Sequence, residues 1–289
     1  MPGEDLVTLQ PMVRADLSEV GQFLHDNLNS RLSPATWASA AIPPWQVDSP
    51  NYGYLLLAGD RIVGVHLAFY SERLMGENRI RLCNLGAFCV RKEYRSHSLR
   101  LLRALLAQDS YHFTDLSPSG NVVPVNVRLK FRHLDTATAL VPNLPWPIWP
   151  LATRVIADPA SIEARLHGRD LTIYRDHAHA AAAQHALIVR GNEACYVMFR
   201  RDRRKNLPLF ASILHVGNPE LFQKASQHFF RHLLLHHKIP ATLAEIRVAG
   251  HRPPLSVMLP APRPKMFRSG ELRGDDVDYL YSELTCVPW

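Results

Sequence analysis

The stretch VRKEYRSHSLRLLRALL, residues 90–106, decides the fold because it joins a strand to a helix. The apolar run RIRLCNLGAFCV leads into it and is typical of a strand. The second part of the stretch repeats leucine at helical spacing, which predicts a helix with one apolar side. These leucines are Leu99, Leu102 and Leu106, with Leu101 and Leu105 beside them. The first part is polar and basic, with Arg91, Lys92, Arg95, Ser96, His97, Ser98 and Arg100.

This strand-to-helix turn has the composition of an anion-binding site. The first N–H groups of a helix have no partner within the helix, and the helix dipole makes that end attractive to negative charge. Arginine and serine side chains at the same place add direct bonds to phosphate oxygens. Residues 79–103 hold seven Lys or Arg and one acidic residue, whereas an exposed face usually mixes its charges. An anion site is therefore favoured over a solvated helix start.

The first half of the chain alternates strands and helices. Asp16 is predicted to cap a first helix, residues 33–53 are interpreted as an irregular loop, and a hairpin is predicted around Gly59-Asp60. A strand over YHFTDLS, a short helix over SGNVVPVNVRLKF and a last strand over RHLDTATALV follow. Such alternation predicts an α/β fold with helices over a mixed sheet.

The second half of the chain repeats this order. ALIVRGNEACYVMF resembles LLLAGDRIVGVHLAF, with a Gly-Asn turn at 191–192, and PELFQKASQHFFRHLLLHH predicts the helix that follows. A tandem duplication is therefore expected, with a domain over residues 1–139, a proline-rich linker over 140–150 and a second domain over 151–289. The corresponding turn of the second half, HVGNPELF, has no Lys or Arg, so only the first half is expected to bind an anion.

Composition and charge limit the possible classes of protein. The net charge of +7 favours anionic ligands in general, but no zinc-finger spacing or aromatic-rich RNA motif indicates nucleic acid. The four cysteines form no CxxC pair, which fits a reducing compartment. The sequence starts without a signal region, and prolines interrupt its one candidate for a membrane span. A soluble, cytoplasmic protein is predicted.

No metal is expected in the site. His228, His232 and His236 are spaced by four residues on one predicted helix. A metal there would need a further ligand, and no acidic partner is evident in the sequence, so a partly exposed histidine stripe is favoured. The run RRDRRK at 200–205 is interpreted as a solvated hairpin loop rather than a nucleic-acid patch.

The order of elements and the 90–100 turn together resemble the GNAT acyltransferases. In that family the pattern V-x-P-x-Y-R-G-x-G-x-G/A closes the fourth strand, opens a long helix and binds acyl-coenzyme A (acyl-CoA). The residues that fit this register are Val90, Glu93, Tyr94, Arg95 and Leu99. Ser96, Ser98 and Arg100 stand where the family has glycine or alanine, and Lys92 stands at the proline. The resemblance covers residues 6–140.

The resemblance implies a GNAT-like mixed central sheet flanked by helices, in two tandem halves, with acetyl-CoA or another acyl-CoA as co-substrate. It implies that acyl-CoA binds to the end of the fourth strand, to the turn and to a later asparagine. The residues concerned are Phe88, Cys89, Val90, Arg95, Ser96, His97, Ser98, Leu99, Arg100 and Asn121. Backbone N–H groups of 86–90 are expected to stabilise the oxyanion.

The family reaction is direct attack of an amine on the thioester, which needs a base for the amine and a proton for the leaving thiolate. Asp115 is the first candidate for the base because it lies on the strand that faces the turn, and Glu72 and His97 are the alternatives. The family's tyrosine acid aligns near Asn126, whose amide donates a hydrogen bond but cannot act as an acid. Either Asn126 orients the thiol alone, or another group or water protonates the sulfur.

The function implied by the resemblance is N-acyl transfer from acyl-CoA to an amine of a small molecule or sugar. The alternative is a GNAT-fold protein that senses a ligand or acts as a scaffold without catalysis, which the replaced glycines and Asn126 favour. A membrane partner is not expected, and nucleic acid is a distant third possibility.

Overall fold

The computed structural model describes residues 6–75, 78–145, 152–204 and 207–289. Its strands, in chain order, are β1 (Val7–Pro11), β2 (Gly53–Ala58), β3 (Arg61–Met75), β4 (Asn78–Val90), β5 (His112–Asp115), β6 (Arg132–His133), β7 (Thr138–Pro142), β8 (Thr153–Ile156), β9 (Gln184–Arg190), β10 (Glu193–Arg204), β11 (Leu207–Val216), β12 (Ala241–Glu245), β13 (Val257–Met258) and β14 (Met266–Arg268).

The α-helices, in the same order, are α1 (Leu17–Asn27), α2 (Pro34–Ala40), α3 (Ser98–Leu106), α4 (Val123–Arg128), α5 (Pro159–Glu163), α6 (Gly168–His177), α7 (Pro219–His237), α8 (Ile246–Ala249) and α9 (Glu283–Cys286). Short 3-10 helices lie at Arg14–Asp16, Lys92–His97 and Gly274–Asp276. Helix α3 begins within the predicted segment, and α7 has the predicted bounds.

Within the described residues the strands form two seven-stranded sheets. The first has the order β1-β2-β3-β4-β5-β14-β6, and the second, taken from its other edge, has the order β8-β9-β10-β11-β12-β7-β13. In each sheet the fourth and fifth strands are parallel, and the other neighbours are antiparallel. The two sheets therefore share one topology, as the predicted duplication requires.

Tight turns fix the register of the corresponding hairpins. Ala58 pairs with Arg61 across the first turn, where Gly59 has φ +59°. Arg190 pairs with Glu193 across the second turn, where Gly191 has φ +60°. Glycine adopts this left-handed conformation without a steric penalty. Both predicted hairpin turns are confirmed.

Apolar side chains cover both faces of the first sheet. On one face Phe23 and Leu24 of α1 and Trp37 of α2 pack in one buried cluster with Leu67 and Phe69 of β3. On the other face, a second cluster joins α3 and α4 to the sheet; it includes Leu102, Leu105, Cys83, Leu85 and Phe113, with Val123 and Leu129 at its edge. The leucines of the 90–106 stretch thus form the predicted apolar side of a helix.

The chain divides into two compact units whose boundaries differ from the predicted split at 140–150. The first unit contains residues 1–133, 265–273 and 281–289, and the second contains 134–264 and 274–280. Strand β7, taken in the sequence as the last strand of the first half, pairs with β12 of the second sheet. Strand β14 pairs with β5 and β6 of the first sheet. The first sheet therefore takes β14 from beyond its continuous segment, and the second sheet takes β7 from the stretch that the sequence assigned to the first half.

Local differences from the sequence predictions have local causes. The loop expected at 33–53 contains α2, whose N-cap Ser33 accepts a hydrogen bond from the Thr36 N–H. The Asp16 carboxylate accepts from the Val13 N–H and makes no capping bond to α1. Residues 200–204, expected in a loop, belong to β10. Residues 146–150 of the expected linker lie outside the described residues.

Candidate active site

The parallel pairing of strands β4 and β5 ends at the centre of the first sheet. They pair in parallel from Leu82 opposite His112 to Leu85 opposite Asp115. Strand β4 then continues to Val90, while β5 ends at Asp115. Residues 86–90 of β4 therefore have no partner on β5, and we call this end of the pairing the β4–β5 splay.

A β-bulge lies on the β4 side of the splay. Val65 pairs with Cys89 and Leu67 pairs with Gly86, so two residues of β4, Ala87 and Phe88, lie opposite one residue of β3. Ala87 has φ +46°, a left-handed conformation that is uncommon for a residue with a side chain. A bulge interrupts the ladder and re-aims backbone groups, so the backbone of 87–88 is a candidate for binding a ligand oxygen.

The strand-to-helix turn after β4 is open to solvent. Residues Lys92–His97 form a 3-10 helix with no buried side chain, and α3 begins at Ser98 without a side-chain cap. None of residues 91–100 has a positive φ. This backbone therefore needs no glycine, and some of its N–H groups bond internally, as the Tyr94 N–H does to Arg91 O at 3.0 Å.

The two arginines predicted to bind phosphate differ in their surroundings. Arg100 Nη1 donates to Val7 O at 2.8 Å and lies 3.5 Å from His97 Nδ1, so its guanidinium is anchored to β1. Arg95 is exposed, and its charge acts on the Cys89 thiol at the end of β4. Burial nevertheless raises the pKa of Cys89 to about 11, which keeps that thiol protonated and unreactive at neutral pH.

Asp115 and Asn126 form a buried pair on the α4 side of the splay. Asn126 Nδ2 donates to Asp115 Oδ2 at 2.8 Å, and the Asn126 side chain is fully buried. Burial raises the pKa of Asp115 to about 6, although the bond from Asn126 opposes this. Within the described residues Asn126 Oδ1 has no hydrogen-bond partner. A buried oxygen without a partner is uncommon and indicates a place for a ligand donor.

A second buried carboxyl, Glu283, reaches the splay from segment 281–289. Its Oε1 accepts from Ser117 Oγ at 2.8 Å, and its backbone N–H donates to Asn84 Oδ1 at 2.8 Å. Asn84 Nδ2 in turn donates to Thr114 Oγ1 at 3.1 Å. Burial raises the pKa of Glu283 to about 7, and the charge of Asp115 adds to this effect. Both carboxyls therefore can exchange protons near neutral pH.

The two carboxyls lie on opposite faces of the sheet. Successive residues of a strand point to opposite faces, so Thr114 and Asp115 do as well. Asp115 shares its face with α4 through Asn126, and Glu283 is held on the Thr114 face through Asn84. A molecule bound in the splay would thus have a titratable group on each side.

The remaining predicted site residues are not all brought to the splay. Glu72 pairs with Arg81 across β3 and β4, four residues before the last β4–β5 pair, which is roughly 13 Å along the strand. Its carboxylate forms ion pairs with Arg79 at 2.5 Å and with Arg81 at 3.8 Å. Asn121 lies exposed in the turn before α4. Val90, Ser96, Ser98 and Leu99 lie along the turn, as the sequence predicts.

Sequence reasoning missed Glu283, Ser117 and Asn84. Asn84 left one signal, since it is a polar residue between Cys83 and Leu85 in an apolar strand. Glu283 left none, because its neighbours in the sequence form no motif. It contacts Ser117 across 166 residues of chain, and only the tertiary structure brings them together.

Comparison with known proteins identifies the fold. No family model matches the chain, and neither does any curated protein. A GCN5-related N-acetyltransferase from Anabaena variabilis matches with TM-score 0.59 and 12% identity, over 91% of this chain and 72% of that one. Eis1 from Mycobacterium abscessus matches with TM-score 0.51 and 13% identity, over 90% and 73%.

A third structure, an acetyltransferase candidate from Pyrococcus horikoshii, matches with TM-score 0.55 and 14% identity, over 95% of this chain and 93% of that one. Identities this low establish the fold alone. The predicted α/β GNAT fold in two tandem halves is confirmed.

The described residues offer neither of two other classes of site, a membrane-spanning helix and a metal centre. Among them, no helix has the length and apolar character that crossing a bilayer requires. The same residues contain no group of three or more His, Cys, Asp or Glu side chains arranged to hold a metal ion. The rings of His232 and His236 stack at 4.5 Å on α7, and burial lowers the pKa of His232 to about 4.

Proposed function

We propose that the first unit transfers an acyl group, acetyl or longer, from acyl-CoA to an amine of a small molecule or sugar by direct attack. The observation that carries this proposal is the β4–β5 splay, with a bulge at Ala87 and Phe88 and a titratable carboxyl on each face. The GNAT fold supports acyl transfer in general. A cytoplasmic location and the absence of a nucleic-acid partner remain predictions.

The strand-to-helix turn is the proposed site for the phosphates of acyl-CoA. Ser96 and Arg95 are exposed there, and α3 begins without a side-chain cap at its N-terminus. A charged phosphate would accept hydrogen bonds from the first N–H groups of α3 and form an ion pair with Arg95. Arg100, anchored on Val7 O, would add long-range charge rather than a direct contact.

The pantetheine arm of acyl-CoA would extend from α3 toward α4, because both helices pack on one face of the sheet. The unpartnered Asn126 Oδ1 would accept a hydrogen bond from an N–H or S–H group of this arm. Asp115 holds the Asn126 amide by its Nδ2 atom and so orients it. Asn126 thus positions the ligand, and Asp115 also acts electrostatically on Glu283.

The thioester supplies an activated acyl carbon when it is bound. The protein would place that carbon in the splay, where backbone N–H groups around Phe88 donate to the acyl oxygen as negative charge develops. Apolar groups on both faces exclude water, which strengthens these bonds and limits hydrolysis of the thioester. Attack by the amine requires removal of one of its protons on the opposite face from Asn126.

Calorimetric titration with coenzyme A and an assay of free thiol release test the proposal. Arg95→Ala is expected to weaken coenzyme A binding by about 10- to 100-fold, since one charge-assisted phosphate contact is lost. Arg103→Ala is the matched control, because Arg103 is an exposed arginine near the far end of the same helix. Equal affinities of wild type and Arg95→Ala, or no binding at millimolar coenzyme A, would contradict the proposed site.

A second candidate function is ligand sensing or scaffolding without transfer. The 3-10 turn over Lys92–His97 and the asparagine at position 126 favour it, because both depart from the pattern of the catalytic family. Binding of acyl-CoA without thiol release, across a panel of amines and amino sugars, would support this function. Thiol release with any of these amines would exclude it.

A further inference from the structure

Ser117 links a fully buried carboxyl to the solvent side of the splay. The Ser117 residue is exposed, and its Oγ donates to Glu283 Oε1 at 2.8 Å. Glu283 itself has 0% exposure. Ser117 is therefore the exposed end of this hydrogen-bonded pair, and a substrate amine in the splay could contact its hydroxyl.

The Glu283 side chain is held firmly in place. Its backbone N–H is fixed by Asn84 Oδ1, and its Cβ packs against Gly86, where an added Cβ would lie only 3.0 Å away. A side chain at position 86 would force Glu283 or Phe69 to shift by a few tenths of an ångström, so glycine lets Glu283 pack closely on β4. Such fixed geometry keeps the oxygens of Ser117 and Glu283 at proton-transfer distance.

The charges around Glu283 allow it to take up a proton near neutral pH. Asp115 on β5 and Cys286 on α9 are the titratable groups that interact with it, and the Cys286 thiol stays protonated because burial raises its pKa to about 12. Among the described residues, neither Glu283 nor Asp115 forms an ion pair with Arg, Lys or His. Their neighbours are neutral donors, so burial and mutual repulsion favour the protonated forms.

We infer that Ser117 and Glu283 form a proton relay that serves the amine acceptor, an inference that rests on the proposed acyl transfer. As the C–N bond forms and the C–S bond breaks, coenzyme A leaves as a thiolate that takes a proton from water, and an N–H proton of the attacking amine passes to Ser117 Oγ. The Ser117 hydroxyl proton passes at the same time to Glu283 Oε1, so the serine stays neutral and the carboxylate becomes a carboxylic acid. The relay returns this proton to solvent by the same route.

Asp115 is less suited to this role, although it was the base predicted from sequence. Its Oδ2 already accepts from Asn126, and it lies on the α4 face, where the thioester arm is proposed to bind. Ser117 lies two residues beyond the end of β5 and contacts the carboxyl on the other face. The proton taken from the amine therefore moves on the face of the sheet opposite to the one where the thioester arm is proposed to bind.

Rate–pH profiles of thiol release with the full chain test the relay. In wild type, kcat is expected to rise with pH through a value near 7, because the carboxylate form of Glu283 is the active one. Glu283→Gln and Ser117→Ala should each lower kcat by about 100-fold or more. Each should also remove the rise of kcat with pH, the pH limb, and leave KM for acyl-CoA unchanged. Glu271→Gln is the control, since its side chain is 83% exposed in the same unit.

Loss of activity from misfolding would also lower affinity for coenzyme A, so calorimetric titration of each variant separates the two causes. Glu283→Asp, which keeps the carboxyl, should restore part of kcat and the pH limb. Wild-type kcat and an unchanged pH profile in both Glu283→Gln and Ser117→Ala would overturn the relay.

A third measurement separates the relay from the proposed function as a whole. Carboxyl ¹³C NMR of glutamate-labelled protein follows the titration of Glu283 without any turnover. Ser117→Ala should shift this titration to higher pH, because the serine hydrogen bond lowers the pKa of the carboxyl. An unshifted titration would overturn the relay even if acyl transfer occurs. A shifted titration in a protein that releases no thiol would instead refute the proposed acyl transfer.

Discussion

The first unit leaves the start of its central helix open, whereas the second unit fills the same place with its own side chains. Helix α3 begins without a side-chain cap, beside the exposed Arg95. Helix α7 begins at an Asn218 cap, whose Oδ1 accepts from the Leu221 N–H at 3.0 Å. A Cβ atom on Gly217 would lie 2.0 Å from Asp170 Oδ2, so a carboxylate already lies at this helix start.

This difference shows how one topology can hold an uncapped helix start in one copy and a capped one in the other. A helix N-terminus attracts negative charge in either case. In the second unit Asp170 supplies that charge, and His215 Nε2 lies 3.2 Å from its Oδ1. In the first unit the described residues place no acidic side chain in the first turn of α3, as the proposed phosphate site requires.

The buried acids of the two units also differ, both in their partners and in the direction in which their pKa values shift. Asp115 and Glu283 in the first unit have neutral partners, and their pKa values are raised. Asp202 in the second unit pairs with Arg263 Nη1 at 2.9 Å and accepts from Ser212 Oγ at 2.7 Å. Arg263 and these hydrogen bonds outweigh burial and lower the pKa of Asp202. An ion-paired carboxylate stabilises a fold, while an unpaired one costs stability and suits proton transfer.

The largest expected effect is on the pH dependence of stability in Glu283→Gln. The pKa of Glu283 rises from its ordinary 4.5 to about 7 on folding, so the native state holds this proton to higher pH than the unfolded state. The stability of wild type therefore falls as pH rises from below 5 to above 7. Relative to wild type, Glu283→Gln should gain about 2–3 kcal/mol between pH 5 and pH 8.

Urea unfolding at the two pH values measures this gain, with Glu271→Gln as the exposed control. The difference in stability between Glu283→Gln and wild type could instead be the same at pH 5 and pH 8. That result would show that burial does not raise the pKa of Glu283. The contrast between the buried acids of the two units would then fail.

A smaller effect of opposite sign is expected for Asp202→Asn. Its lowered pKa means that Asp202 stabilises the fold at neutral pH and that this contribution is lost as pH falls through the pKa of the folded state. The substitution should cost about 1–2 kcal/mol at pH 7, a discounted value because the Arg263 side chain is 54% exposed. Thermal unfolding at pH 7 and pH 3.5 should show the cost shrinking at the lower pH; a constant cost would argue against the ion pair.

The smallest expected effect compares the two helix starts directly. Asn218→Ala removes the α7 cap and should lower stability by about 1 kcal/mol. His97→Ala replaces the residue at the same position of α3, which makes no capping bond, and should change stability by less than about 0.5 kcal/mol. Chemical denaturation of both variants checks this difference. Equal losses of stability in the two variants would mean that His97 caps α3 as effectively as Asn218 caps α7.

Local patterns in the sequence predicted the parts of this fold that depend on near neighbours. The turns at Gly59 and Gly191 follow from the conformational freedom of glycine, and α3 follows from leucines at helical spacing. The basic turn at 91–100 and the pairing of Asp115 with Asn126 also lie within short stretches of the first half. The basic composition of the turn and the Asp115–Asn126 half of the candidate site therefore could be located from the sequence, while anion binding at the turn stays a prediction.

The sequence by itself thus determined the α/β order, the duplicated pattern and the charge of the strand-to-helix turn, because each depends on residues close in the chain. Only the tertiary structure decided that β14 completes the first sheet and β7 the second. It alone brought Glu283 to Asn84, 199 residues away, and buried it without a cation. Burial and the pKa of a carboxyl depend on all the groups packed around it, and no local pattern encodes partners so distant in the chain.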